Sequence, residues 1–173
     1  LAQFIVSATG RAELAKLEPQ TDYTTIHHWV EETEDGADLL RLVGGIPLPE
    51  LADVSPQLKR LKVQASLNGT ELAQITQVLR TSMAVQKFFE GLVEKKIRLR
   101  TIDNLATSLV TIPEVTRRLA RSLDPDGRVT DEASTKLHGV RQLITQTEVD
   151  IRHELERYTW GKQAKKLSDP IIT

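Results

Sequence analysis

The sequence feature that most constrains the fold is an apolar repeat between residues 137 and 158. Successive members of the repeat are separated by 3, 4, 3, 4, 4 and 3 residues, a mean of 3.5. This spacing is typical of the seam along which a helix packs against a partner in a coiled coil. The repeat consists of Leu137, Val140, Ile144, Thr147, Ile151, Leu155 and Tyr158.

The repeat predicts one long, uninterrupted helix. No glycine or proline lies between Val140 and Trp160, so nothing in the local sequence ends the helix there. A helix of about 25 residues is roughly 40 Å long, which exceeds what a compact domain of about 130 residues can cover. We therefore expect the helix to project as an arm and to need a partner helix that these residues do not supply.

The rest of the chain is also predicted to be helical. Each predicted helix begins at a capping residue or a proline, or ends at a glycine or before a proline. The predicted helices are Leu1 to Leu17, Asp22 to Gly44-Gly45, one after Ser55-Pro56, one after Asn68, 101–110 and 113–123. A loop is expected over 46–55, and the basic stretch KKIRLR precedes the helix at 101–110. No convincing strand pattern precedes the terminal PIIT, so the sequence predicts an all-α fold.

Composition narrows the class of protein. The chain has 23 Lys and Arg against 24 Asp and Glu, a net charge of −1. Its overall electrostatic field therefore does not indicate a nucleic-acid or membrane partner. The absence of cysteine excludes disulfides, thiolate zinc sites and a cysteine nucleophile, and it suits a cytoplasmic protein. No apolar run approaches the roughly 18 residues of a membrane span. Both ends of the sequence resemble cuts through a longer protein.

The stretch SLDPDGRVTDEAS, residues 122–134, could be a calcium loop or a turn. An EF-hand loop needs glycine at its sixth position and glutamate at its twelfth, but counting from Asp124 these are Val129 and Thr135. Pro125 and Asp126-Gly127 are instead typical of a tight turn. We predict a turn without metal, followed by a helix that Asp131 or Ser134 caps.

Other candidate sites are weaker. His27 and His28 each precede a glutamate by four residues, a spacing that could bind a metal but that also occurs in ordinary surface pairs. Five acidic residues between Glu31 and Asp38 are expected to face solvent. The sequence contains no phosphate loop and no nucleophile elbow. We therefore predict no catalytic, cofactor-binding or metal-binding residue in this chain.

One basic cluster remains, at the distal end of the long helix. Residues 135–166 hold seven Lys and Arg against four Asp and Glu, and Lys162, Lys165 and Lys166 crowd the end of this range. Lysines clustered on a projecting arm suit contact with phosphates, so these three are the candidate nucleic-acid contacts. A solvated flank of a coiled coil is the alternative interpretation.

Three blocks of sequence resemble the bacterial MutS type-II family, the MutS-related ATPases with a C-terminal Smr endonuclease domain. The pattern of the first block is an apolar residue, an acidic D-x-G turn, and then D-x-A-S-x-x-L-x-x-(I or V)-R. It falls on Leu123, Asp124, Asp126, Gly127, Asp131, Ala133, Ser134, Leu137, Val140 and Arg141. The second block, WVEETEDGADLLRLVGGIPL, departs from the family at Asp35-Gly36, where Gly36 should weaken the helix. The third is the terminal SDPIIT.

This resemblance implies a division into a helical core domain, 1–130, and an ascending lever helix toward the clamp, 131–173, in a truncated fragment. It implies a homodimeric, cytoplasmic protein that binds duplex or branched DNA, hydrolyses ATP with Mg²⁺, suppresses homologous recombination, and is linked to collided-ribosome rescue and rRNA binding. The ATPase and endonuclease residues would lie outside this chain, whose role would be structural. The alternative is a helical coiled-coil interaction module that makes no nucleic-acid contact.

Overall fold

The computed structural model describes residues 2–5 and 7–160, and within them the chain is all-α, as predicted. Seven α-helices and two short 3₁₀ helices, Ala2–Phe4 and Asp131–Ala133, are present in this part of the chain. The α-helices are α1 (Ala8–Leu14), α2 (Tyr23–Val43), α3 (Ser55–Lys62), α4 (Gly69–Glu94), α5 (Arg100–Thr107), α6 (Pro113–Ser122) and α7 (Thr135–Trp160).

Capping residues set the bounds of the two long helices before residue 100. The Asp22 carboxylate accepts a hydrogen bond from the Thr25 N–H at 2.8 Å, so α2 begins where predicted. It ends at Gly44, whose φ of 81° is favourable for glycine alone. Helix α4 begins with a capping box, in which Asn68 and Glu71 each accept a backbone N–H of the other at 2.9 Å. These predicted bounds are confirmed.

The prediction of one helix from Leu1 to Leu17 is wrong. A 3₁₀ turn at Ala2–Phe4 precedes a separate helix α1, which spans only Ala8–Leu14. Ser7 has an extended backbone, and its hydroxyl accepts the Gly10 N–H at 3.0 Å, so it caps a new helix. The apolar periodicity of this stretch concealed the capping serine.

Helices α3 and α4 both end in a Schellman motif that uses an unusual residue. At the end of α4 the Lys96 N–H donates to the Val93 carbonyl and the Ile97 N–H donates to the Leu92 carbonyl, both at 3.0 Å. Lys96 has a φ of 62°, and Gln64 occupies the same position after α3 with a φ of 58°. Glycine is the usual residue here because a side chain is strained in this left-handed region.

The core lies between α2, α4 and α5. Helix α4 packs against α5 and α6, and α2 packs against α5. The buried apolar residues of the central cluster are Leu39, Val85, Phe89, Leu92, Leu99 and Ala106. Leu39 is the one buried residue of α2, while Trp29 and Leu40 on the same helix remain 37% and 63% exposed. Gly36 does not interrupt α2, which is continuous through this position.

The chain divides into two compact units, Leu1–Arg128 and Val129–Thr173. The first contains α1 to α6, and the second contains the 3₁₀ helix Asp131–Ala133 and α7. None of the helices among the described residues is long and apolar enough to cross a membrane. Whether the two units act as core and lever remains a prediction.

Candidate nucleic-acid interface

The three candidate lysines, Lys162, Lys165 and Lys166, lie outside the described residues. Their contact with phosphate therefore stays a prediction. The helix that leads to them is described as far as Trp160, and it is the long helix that the apolar repeat predicts. Its 26 residues correspond to about 39 Å at 1.5 Å per residue.

The described part of α7 carries no excess of either charge. It contains four basic and four acidic residues, and the excess of Lys and Arg counted over 135–166 comes from the three lysines beyond it. Arg157 donates to Glu154 one turn away at 2.5 Å. The described length of the helix therefore offers little net attraction to a phosphate backbone.

A cluster of polar contacts fixes the beginning of α7. The Ser134 hydroxyl accepts the Leu137 N–H at 3.2 Å, which confirms Ser134 as the capping residue. Arg141 forms an ion pair with Asp131 and also donates to the Val129 carbonyl at 2.9 Å. Asp131 is thus a partner of Arg141 rather than the cap. These contacts tie the first two turns of α7 to the segment before it.

The apolar repeat of α7 is exposed. Val140, Ile144 and Ile151 are 44%, 53% and 54% exposed, and Leu155 is 40% exposed. Leu137 is half-buried, and the side chain of Tyr158 lies outside the described part of the chain. An exposed apolar repeat of this spacing is the kind of surface that a partner helix covers in a coiled coil, and the need for such a partner stays a prediction.

The segment Asp124–Gly127 is a turn. One carboxylate oxygen of Asp124 accepts the N–H groups of Asp126 at 3.0 Å and of Arg128 at 2.8 Å. The Asp124 carbonyl accepts the Gly127 N–H at 3.0 Å, and Gly127 has a φ of 84°. The Asp124 carboxylate thus organises the backbone of the turn, as predicted. Among the described residues no group of three or more His, Cys, Asp or Glu side chains could hold a metal ion.

This turn packs directly on the N-terminus of α4. The Thr70 hydroxyl donates to the Asp126 carbonyl at 3.3 Å. The backbones of Gly69 and Gly127 approach so closely that a Cβ atom on either glycine would overlap the backbone of the other segment. Two glycines that are 58 positions apart in sequence are therefore both required by one contact.

Asp35 corrects the expectation that all five acidic residues of α2 face solvent. Its carboxylate is partly buried and accepts the Thr101 N–H at 2.7 Å, the Thr101 hydroxyl and the Ile102 N–H at 3.4 Å. Burial raises the pKa of Asp35, but the hydrogen bonds from Thr101 and Ile102 and the nearby Arg100 outweigh it, so the pKa lies below its ordinary value. Asp35 caps α5 from another helix.

The histidines of α2 form ordinary surface pairs. His27 lies 3.5 Å from Glu31, and His28 lies 3.2 Å from Glu32, each four residues apart on exposed faces. In the described part of the chain neither pair has a third ligand beside it. The arrangement therefore fits helix-surface pairs rather than a metal site.

The loop between α4 and α5 presents a basic surface that the sequence interpretation left unassigned. Lys95, Lys96, Arg98 and Arg100 are exposed, whereas Ile97 between them is half-buried and Leu99 is only 2% exposed. Within the described residues the side chains of Lys95, Lys96 and Arg98 form no ion pair or hydrogen bond. The sequence signal was the alternation of aliphatic and basic residues in KKIRLR.

Comparisons with known proteins find relatives of one kind that match the entire chain. No protein-family model matches it. The chain is similar over all of its 173 residues to the endonuclease MutS2 of Levilactobacillus brevis, at 53% identity, and to that of Enterococcus faecalis, at 42%. The endonuclease MutS2 of Lactiplantibacillus plantarum is 47% identical over the whole chain. The chain spans 22% of the length of each of these relatives. With this identity along its whole length, the chain belongs to the MutS2 family.

Proposed function

We propose that this chain is a non-catalytic helical core and lever within a MutS-like DNA-binding ATPase and endonuclease. The observation that carries the proposal is the 26-residue helix α7 in a chain that is similar along its whole length to MutS2 endonucleases. These residues span only 22% of such a relative, and we assign the chemistry to the rest of the protein.

The mechanical role rests on how α7 is built. A helix about 39 Å long transmits displacement along its axis only if it is continuous and held at one end. No glycine or proline follows Gly139 in the described part of α7, and its first two turns are held by the Ser134 cap and the Arg141–Asp131 ion pair. These features support a rigid element that links a nucleotide-dependent motion to the position of a clamp.

ATP and Mg²⁺ do not fit the residues of this chain. The sequence has no G-x-x-x-x-G-K-[ST] loop to hold a triphosphate. Among the described residues no three or more His, Cys, Asp or Glu side chains lie close enough together to hold a metal ion. We assign the ATP site and the endonuclease to other parts of the protein. The chain's own residues contribute positioning, and Lys162, Lys165 and Lys166 contribute contact with duplex or branched DNA.

The wider role we propose is that of the family that the sequence resembles: a cytoplasmic homodimer that suppresses homologous recombination and that acts on collided ribosomes through rRNA. A second candidate function is a coiled-coil interaction module without nucleic-acid contact. The repeat of α7 exposes Val140, Ile144 and Ile151, which suit a partner helix in either function.

The lever is tested by breaking α7 in the full-length protein. Replacing Thr145, Gln146 and Thr147 with three glycines should disrupt the helix, since each glycine costs about 1 kcal/mol relative to alanine. We expect DNA binding and basal ATP hydrolysis to persist, while DNA no longer changes the rate of ATP hydrolysis. The matched control replaces the same residues with three alanines, which preserve the helix and should preserve the coupling. If the glycine variant stays coupled, α7 is not a lever.

A further inference from the structure

We propose that the loop between α4 and α5 is a second nucleic-acid contact, in which Lys95, Lys96 and Arg98 bind the phosphate backbone. This surface lies in the unit Leu1–Arg128 and is made of other residues than Lys162, Lys165 and Lys166. The choice of nucleic acid as the partner rests on the proposed function, and the site itself rests on the geometry of the loop.

The loop concentrates positive charge without neutralising it. Lys95, Lys96, Arg98 and Arg100 lie within six residues of a chain whose net charge is −1. Within the described residues the first three have no side-chain partner, unlike Arg41, Arg60, Arg141 and Arg157, which are paired with carboxylates. Arg100 lies close enough to Asp35 to lower the pKa of that carboxyl group, so it is the least available of the four. Three cations of one loop therefore face solvent without a side-chain partner among the residues that the structure describes.

The loop is held in place by its other residues. The Schellman motif at the end of α4 fixes the backbone of Lys96 and Ile97 through two hydrogen bonds of 3.0 Å. Leu99 belongs to the buried core and Ile97 packs against it, so the side chains on either side of them point outward. The Leu99 N–H donates to the Asp103 carboxylate at 3.1 Å, which fixes the far end of the loop. A surface fixed at both ends loses little backbone entropy when it binds a ligand.

Lys96 occupies a position where glycine would be more stable. Its φ of 62° lies in the left-handed region, where a side chain is strained. The end of α4 thus carries a cation at an energetic cost to the fold. Strained backbone positions of this kind are often found at functional sites, and a contact between Lys96 and phosphate would explain why a lysine is present here.

Phosphate backbones suit this surface better than single carboxylates do. An exposed pair between one lysine and one carboxylate contributes little, because the Coulomb attraction is weak in water and the two side chains lose conformational freedom. A polyanion engages several cations at once and releases its condensed counterions, with a slope of about −0.9 in log K against log salt for each duplex phosphate contacted. Three contacts at the loop predict a contribution of about −2.7 to that slope.

The test measures binding of the 173-residue chain to fluorescent duplex DNA and to an RNA hairpin of equal charge, across a range of salt concentrations. The loop variant is K95Q/K96Q/R98Q, and the control is K62Q/R80Q/K87Q, which removes three exposed cations elsewhere in the same unit. Both variants change the net charge from −1 to −4. We expect the loop variant to bind at least about tenfold more weakly at low salt, with a salt slope reduced by two to three, and the control to stay within about threefold. Thermal unfolding of each variant confirms that it is folded.

A third variant, K162A/K165A/K166A, separates this site from the distal lysines. If only this third variant loses binding, the distal lysines contact the nucleic acid and the loop does not. If only the loop variant loses binding, the loop contacts the nucleic acid and the distal lysines do not. Equal losses in the loop variant and its control would overturn the site, as would an absence of binding by the parent chain at low salt. Binding of poly-glutamate as tightly as DNA would overturn the assignment to nucleic acid. Comparison of the duplex and the hairpin identifies whether DNA or RNA supplies the phosphates.

Discussion

The Asp35 carboxylate on α2 caps the first turn of α5 by accepting both the N–H, at 2.7 Å, and the hydroxyl of Thr101. The two residues are 66 positions apart, and Thr101 is buried. Helix α5 has no side-chain cap at its own preceding residue, Leu99. Its N-terminus is therefore held by a residue of a neighbouring helix, and the fold of α2 and the start of α5 are coupled.

Removing this cap should destabilise the fold. Asp35→Ala leaves the Thr101 N–H and hydroxyl without their acceptor, and we expect the free energy of unfolding to fall by about 1–2 kcal/mol. Asp38→Ala is the control, since the partner of Asp38 among the described residues is Arg41, one turn away on the same helix, and it should cost less than about 0.5 kcal/mol. Urea denaturation followed by circular dichroism measures both. Equal costs would mean that Asp35 does not cap α5.

The same carboxylate predicts an acid sensitivity. The pKa of Asp35 in the folded chain lies below its ordinary value of 3.8. Its contribution to stability is therefore complete above that value and is lost as the pH falls through the lower folded pKa. Between about pH 5 and pH 3 the stability of the parent chain should fall more steeply than that of Asp35→Asn, whose side chain does not titrate. Parallel pH profiles of the unfolding midpoint would contradict this assignment.

Local chemistry made most helix bounds predictable. Asp22, Asn68, Gly44 and Pro113 act on backbone groups within a few residues of themselves, and each bound that they set was predicted correctly. The false continuous helix at 1–17 arose because apolar periodicity outweighed the capping signal of Ser7.

Contacts between distant segments could not be predicted in this way. The role of Asp35 depends on Thr101, and the need for Gly127 depends on Gly69, so no single stretch of sequence contains either relationship. The basic loop was visible as KKIRLR, but its fixed backbone was not. Lys96 follows the end of α4 at a position where glycine is usual. Its left-handed backbone could therefore not be predicted from the sequence.

The contact between α4 and the acidic turn should be sensitive to a single methyl group. In Gly69→Ala the added Cβ would overlap the Gly127 carbonyl oxygen, so the turn has to move away from α4. We expect a loss of about 2–3 kcal/mol in the free energy of unfolding. Gly91→Ala is the matched control, because its Cβ meets nothing within 4 Å and the substitution should stabilise α4 by up to about 1 kcal/mol. A loss below about 0.5 kcal/mol in Gly69→Ala is what a typical surface substitution causes. Such a result would contradict the close approach of the Gly69 and Gly127 backbones.

Glycine at the two left-handed helix ends should stabilise the chain. Gln64→Gly and Lys96→Gly each relieve the strain of a positive φ, which is partly offset by the greater entropy of glycine in the unfolded chain. We expect a net gain of about 0.5–1 kcal/mol for each variant in urea denaturation. Only Lys96→Gly should also weaken binding to duplex DNA at low salt, since Gln64 carries no charge. A loss of stability in both variants would contradict the left-handed backbone.

The distal lysines should give weak, non-specific binding that depends strongly on salt. If Lys162, Lys165 and Lys166 each neutralise one phosphate, they contribute a slope of about −3 in log K against log salt, so binding is lost near physiological ionic strength. Replacing all three with alanine should reduce binding to duplex and branched DNA in a gel-shift series at low salt, while K62A/R80A/K87A, which removes the same charge elsewhere, should not. Contacts with phosphates carry no sequence information, so we expect no preference between unrelated sequences. Unchanged binding in the distal variant would assign the contact to the α4–α5 loop. Equal losses in the distal variant and in K62A/R80A/K87A would mean that binding depends on the net charge of the chain and not on the position of these lysines.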